Sequence, residues 1–219
     1  MKIPSSWTFK SKEVAKNFDS HVREQLPWYN LATFICRHYI RAYARTEDTI
    51  YDMGCSTGNM ELACEDIIAT RNLRWMPVDE SEEMLKRYKG KCTPTIQKMQ
   101  TLKFKEGLDG AVCFLSLMFL TKSARESFLQ RMFFSLSDDG FILIFDKFLS
   151  KETGYISMVE SQLASAIKKD NNLDASEILE KEISLLGAQV PMEYHEISKY
   201  SPRLIFKLGQ FEGYIITKL

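Results

Sequence analysis

The chain has 219 residues, of which 45% are hydrophobic and 26% charged. That length fits one domain, 1–219, able to bury about 70% of its unfolded surface, so no disulfide or metal staple is required. Lys plus Arg and Asp plus Glu each number 29, which excludes a protein held on nucleic acid by overall positive charge. The longest apolar run, Ala111–Leu120, is shorter than the roughly 18 residues a bilayer span needs, so no membrane association is expected. The opening MKIPSSWTFKSK lacks the apolar stretch of a secretory signal. Cys36, Cys55, Cys64, Cys92 and Cys113 form no C-x-x-C pair. Most are read as small core residues of a cytoplasmic protein, with no metal site.

Residues 1–45 read as N-terminal helices. Ser11 caps a first helix through Gln25, with Val14, Phe18 and Val22 on one side. Pro27 punctuates, and a second helix follows to about Ala44 with Leu31, Phe34, Ile35 and Ile40 as its apolar side. Thr49–Met53 is a short buried strand, GCSTG a turn, and Asn59–Thr70 a helix. Arg74–Val78 is a second strand ending at Asp79, and Ser81 caps a short helix to Tyr88. Thr95–Met99 is a third strand. Leu108-Asp109-Gly110 is a turn before a fourth, Ala111–Leu115. Ser123–Leu136 is helical, Asp138-Asp139-Gly140 a turn, and Phe141–Phe145 a fifth strand. This alternation predicts an α/β fold with a mostly parallel sheet covered by helices on both faces. The stretch 151–190 interrupts it with two helices, about 154–169 and 174–187, read as an insertion after strand 5. A further helix at about 195–208 and a last strand, Gly213–Thr217, leave the sheet short of a seventh strand.

The chemistry concentrates at Tyr51-Asp52-Met53-Gly54-Cys55-Ser56-Thr57-Gly58-Asn59, between a strand and a helix. A dinucleotide fingerprint counted from Gly54 needs glycine where Ser56 and Asn59 stand, and no G-x-x-x-x-G-K-[ST] occurs. The pattern is instead Asp-x-Gly-x-x-x-Gly. An acid just before the glycines repels a diphosphate and suits the ammonium group of an amino acid. Asp79, at the end of the next strand, can accept both hydroxyls of a ribose.

This order is similar to motif I of the Rossmann-like S-adenosyl-L-methionine (SAM) methyltransferases. Asp52-Met53-Gly54-Cys55-Ser56-Thr57-Gly58 resembles, more closely, the D-L-G-C-S-x-G loop of the carboxy-SAM synthases. Leu26-Pro27-Trp28-Tyr29 resembles that family's V-P-G-Y, and Val78-Asp79-Glu80-Ser81-Glu82-Glu83-Met84 its I-D-N-S-x-x-M. Ser116–Leu120 resembles T-L-Q-F-L, Asp146-Lys147-Phe148 E-K-F, Glu177–Lys181 the insertion helix, and Pro202-Arg203-Leu204 A-R-L. The resemblance implies a Rossmann-like SAM methyltransferase fold that binds SAM, carboxy-SAM or S-adenosyl-L-homocysteine (SAH). It implies the conversion of SAM to carboxy-SAM with prephenate, for wobble-uridine tRNA modification, and a homodimer. It assigns cofactor contacts to Tyr29, Asp52, Gly54, Cys55, Ser56, Gly58, Asp79, Glu80 and Gln100, and the reactive end to Tyr29 and Arg203, the arginine holding a carboxylate. Two departures stand out. Met99-Gln100 replaces an acid-isoleucine pair at the adenine edge, and Phe114 stands where the family has asparagine.

Two rival functions accompany this reading. One is ordinary methyl transfer to a small molecule or RNA. The other is a binding or regulatory protein with reduced catalysis, motivated by Met99, Phe114 and the short C-terminus. Arg37, Arg41 and Arg45 on one helix face, and Lys86, Arg87, Lys89 and Lys91, read as solvated charge before nucleic-acid contacts. The segment Phe114-Leu115-Ser116-Leu117 carries neither the N-P-P-Y nor the Pro-Cys of DNA methylation. Lys147, at the end of the fifth strand, is a substrate-side candidate. His21, His38 and His195 are read as surface or capping residues.

Overall fold

A computed structural model describes residues 7–104 and 107–218. Ser11 caps α1 (Lys12–Gln25) by accepting from the Val14 N–H, and α2 spans Tyr29–Tyr43. The chain then alternates through β1 (Thr49–Met53), α3 (Asn59–Arg71), β2 (Arg74–Asp79), α4 (Glu82–Leu85), β3 (Thr95–Ile96), β4 (Leu108–Phe114), α5 (Lys122–Ser135) and β5 (Leu136–Lys147). The insertion is α6 (Gly154–Asp170) and α7 (Ala175–Ser184). It is followed by α8 (His195–Ser198), β6 (Arg203–Leu208) and β7 (Phe211–Thr217).

The seven strands lie in the order β3-β2-β1-β4-β5-β7-β6. Pairing is parallel from β3 to β5, and β7 runs antiparallel to both β5 and β6. Strand residues alternate between two cores. Ile142 and Ile144 pack with Phe128 and Met132 of α5, whereas Phe141, Leu143 and Phe145 pack in the cluster holding Cys36 and Ile40 of α2 and Cys64 and Ile67 of α3. Both faces are therefore covered, as the apolar strands require. Cys36, Cys55, Cys64 and Cys113 are buried and Cys92 is half-buried.

Several sequence expectations are corrected. Residues 203–208 form a strand, not the end of a helix. Ser201 adopts φ 52° and Pro202 follows it, so the short α8 cannot continue. The strand so gained completes a seven-stranded sheet, and the expected shortfall at the C-terminus does not occur. Leu108-Asp109-Gly110 begins β4 instead of turning, with Asp109 accepting from the Thr49 N–H at 2.8 Å. Asp138-Asp139-Gly140 lies within β5, where the pairing jumps from Leu108↔Leu136 to Gly110↔Phe141 and the surplus residues form a bulge. The third strand stops at Ile96, and Met99–Thr101 is a 3₁₀ turn. In α2, Leu31 and Phe34 are exposed, and the inward side is Ala32, Thr33, Cys36 and Ile40.

Candidate functional site

The strand order reverses between β1 and β4, and the carboxyl ends of β1, β2 and β4 open onto a cavity of about 870 Å³. Ligands of open α/β sheets bind at such a reversal. The loop after β1 forms its floor. Gly54 and Gly58 have φ of 80° and 86°, left-handed values that glycine adopts without a Cβ penalty. A Cβ on Gly54 would meet Ser116 Cβ at 2.6 Å. Ser56 is also left-handed, at φ 53°.

The loop's amides are already engaged. Gly54 N–H and Cys55 N–H donate to the Val78 carbonyl (2.8 and 3.1 Å), Ser56 N–H to Asp79 Oδ2 (2.9 Å), and Gly58 N–H to the Cys55 carbonyl (2.9 Å). A diphosphate cradle needs such amides free. Left without partners among the described residues are the buried Asp52 Oδ2, Ser56 Oγ and Ser116 Oγ, on residues that all line the cavity. Burial, with the nearby Asp79 and Glu61 carboxylates, pushes the Asp52 carboxyl up to about 8. Asp79 is also raised by burial, against the opposing N–H donors of Ser81 and Ser56. Its Oδ1 accepts from Ser81 N–H at 2.8 Å, so the carboxylate ties the loop to the end of β2.

Of the sequence-predicted residues, Tyr29, Asp52, Gly54, Cys55, Ser56, Asp79, Glu80 and Gln100 all line this one cavity. Gly58 lies one turn away as the residue preceding α3, packed toward Tyr88 and Gly90. Tyr29 is buried, which pushes its phenol up. Its ring stands edge-on to Phe114 at 5.4 Å, and the Arg23 guanidinium lies 5.2 Å from its centroid. Burial likewise raises the Cys55 thiol, leaving it a packing residue and not a nucleophile. Met99 and Phe114 line the cavity too, so both departures face the ligand space. Arg203 is not brought there. It is exposed on β6 and borders a separate recess with Arg45, Arg71 and Asp138.

Other residues brace the walls from behind. Asp19 of α1 accepts from Thr57 Oγ1 and Asn59 Nδ2 (both 2.7 Å) and pairs with Lys89, clamping α1 over the loop. Burial raises its carboxyl, but these donors outweigh it and hold it below the ordinary value. Arg125 is buried and forks onto Glu196 (2.6 and 2.8 Å) while donating to the Leu117 and Val190 carbonyls. Asp146 accepts from the N–H of Leu117 (2.8 Å) and Met118 (3.3 Å). Burial pushes Asp146 up to about 7. Together these groups fix the turn after β4 that carries Ser116.

His21 is a correction: it is buried, stacked on Trp7 at 5.2 Å, and lines the cavity, whereas His38 and His195 are exposed as expected. Most of these surface cations are matched by acids. Arg37 and Arg41 meet Asp66, Arg45 meets Asp139, Lys86 meets Glu82 and Glu83, and Lys91 meets Glu65. Among the described residues no cluster of metal-ligating side chains occurs, and no helix is long and apolar enough to cross a membrane.

The fold and this crevice define a class: the chain has the Rossmann-like fold of the SAM-dependent methyltransferases. The plantazolicin methyltransferase bound to SAH aligns over 95% of this chain and 90% of its own, with a TM-score of 0.65 and 12% identity. A TehB-like SAM-dependent methyltransferase from Corynebacterium glutamicum aligns over 95% of this chain and 100% of its own, with a TM-score of 0.53 and 14% identity. No protein-family model matches the chain. In sequence it is similar to the carboxy-S-adenosyl-L-methionine synthases. The Staphylococcus epidermidis enzyme is 25% identical over 211 residues, 94% of this chain and 90% of the relative. The Shewanella piezotolerans enzyme is 27% identical over 203 residues, 88% and 83%.

Proposed function

We propose that the protein is a SAM-dependent transferase of the carboxy-SAM synthase type, holding SAM, carboxy-SAM or SAH above β1, β2 and β4. One observation carries this reading. The loop's amides are engaged within the protein, while the Asp52 carboxylate oxygen and the Ser56 and Ser116 hydroxyls are buried, unpartnered and on the cavity wall. Such a surface takes a cation and neutral hydroxyls and rejects a diphosphate.

Asp52 receives the α-ammonium, with Gly54, Cys55, Ser56 and Gly58 shaping the backbone beside it. Asp79 and Glu80 receive the ribose hydroxyls. Gln100 hydrogen-bonds the adenine amino group beside Met99. Tyr29 and Phe114 wall the sulfonium end. The sulfonium supplies an already activated carbon, so the protein contributes mainly alignment, which is able to provide about 7–11 kcal/mol. The buried Tyr29 and the Arg125–Glu196 brace hold that alignment.

The finer reading is formation of carboxy-SAM from SAM and prephenate, by a cytoplasmic homodimer serving tRNA modification. It is supported by the relatives' sequence similarity along most of the chain. The test is to incubate the purified protein with SAM and prephenate and analyse the nucleosides by mass spectrometry. A product heavier than SAM by the elements of carbon dioxide is expected. SAM recovered unchanged refutes carboxy transfer, and SAH formed with an acceptor assigns ordinary methyl transfer instead.

A further inference from the structure

The cavity has a second end, away from the glycine loop, under α6 and α7. Its wall collects three lysines from three elements: Lys147 at the end of β5, Lys168 on α6 and Lys181 on α7. His21 and Gln25 of α1 and Trp7 close the other side. Lys181 is 6% exposed, lies over the Trp7 ring, and its Nζ has no hydrogen-bond partner among the described residues. His21 Nε2 and both amide atoms of Gln25 are likewise buried and unpartnered. Lys147 Nζ donates to Gln189 Oε1 at 3.4 Å. Among the described residues one carboxylate, Glu182, approaches an ammonium of this group, Lys168 at 3.9 Å, and it also accepts from Ser165.

Buried cations ordinarily come with paired acids, because an uncompensated charge out of water is costly. Three lysine nitrogens against one half-exposed carboxylate leave the compartment short of negative charge. The donors around it (amide, imidazole and ammonium) are the ones an anion's oxygens accept from. The same imbalance is felt within the cluster. Burial first, and then Lys168, pushes Lys181 down to about 6; burial and then Lys181 push His21 down to about 4. An anion seated among them would reverse both effects.

We propose that this end of the cavity is an anion-binding compartment, in which Lys168 and Lys181, with Lys147, His21 and Gln25, hold the acidic group of a small organic co-substrate. The inference rests on the SAM reading only in that both compartments open into one cavity. It places the cationic clamp on the helical insertion and not on Arg203, which the edge strand carries elsewhere.

Malonate and inorganic phosphate are the probes, titrated by calorimetry against potassium chloride at matched ionic strength. The emission of Trp7 localises the event. Saturable binding of malonate or phosphate is expected, the two arms telling carboxylate from phosphoryl preference. Lys181→Met and Lys168→Met should each weaken it at least tenfold and Arg203→Ala by less than twofold. Trp7→Phe should abolish the emission change. Thermal melting verifies that each variant is folded, and the two lysine sites serve as independent tests. The proposal is overturned if neither anion binds beyond the chloride control, or if folded Lys181→Met and Lys168→Met proteins both bind like the parent. SAH is titrated into the same samples. Anion binding without SAH binding supports the compartment and removes the proposed function, and SAH binding without anion binding does the reverse.

Discussion

Asp52→Asn offers a quantitative test of the loop chemistry. The Asp52 carboxyl is buried, has one unpartnered oxygen, and is held up to about 8 mainly by burial. In the free protein it is therefore mostly protonated at pH 6 and mostly ionised at pH 9. Only the ionised form gives the ligand's ammonium a charge-assisted hydrogen bond, worth about 1.5–3 kcal/mol. That is about a 10- to 150-fold preference for the parent over the variant at high pH, since about 1.4 kcal/mol is a factor of ten. Below pH about 8 the ammonium must expel a proton from the carboxyl, so the preference shrinks by up to tenfold per unit as pH falls. At pH 6 it is close to nothing. The assay is calorimetric titration of SAH into both proteins from pH 6 to 9. The ligand's own amine titrates identically in both and cancels in the ratio of affinities. A ratio that is flat across this range, or a variant that binds like the parent at pH 9, refutes the assignment of Asp52 to the ammonium.

Three more outcomes follow from the packing. Gly54→Ala places a Cβ 2.6 Å from Ser116 at a left-handed φ; strain of about 1–2 kcal/mol plus overpacking of about 1–3 kcal/mol should lower SAH affinity at least tenfold or lower the melting temperature, by calorimetry of each kind. Glu196→Gln strips the buried Arg125 of its counter-charge, which should cost about 3–5 kcal/mol. At about 2–4 °C per kcal/mol the melting temperature falls by roughly 6–20 °C. Lys181→Met removes an unpartnered buried amine, a gain of about 1–3 kcal/mol, and should raise the melting temperature in the absence of ligand. Because folding depresses the Lys181 proton affinity, the parent's stability should also climb as pH rises from about 6 toward the ordinary lysine range, and the variant should lack that climb.

The glycine loop and its surroundings were legible because they are local. Strand, loop, helix and the acid at Asp79 follow one another within a short stretch, and each element has a clean start: Ser81 as a cap, Gly54 and Gly58 as left-handed turns. The edge strand β6 was not, because its residues are half-buried or exposed and give no buried alternation to set it apart from a helix face. Asp138-Asp139-Gly140 has turn chemistry, yet pairing with β4 on either side, at Leu136 and from Phe141 onward, carries it within β5 as a bulge. Of the lysine compartment only Lys147, at the end of the fifth strand, carried a sequence signal. Lys147, Lys168, Lys181 and His21 come from separate elements, and only the docking of α6 and α7 over the sheet brings them to one cavity wall.

The most direct test of the central claim is equilibrium binding of SAH against ADP and NAD to the purified chain. The account predicts one SAH per chain, undisturbed by excess ADP or NAD. Binding of either diphosphate, with no measurable binding of SAH, would contradict it.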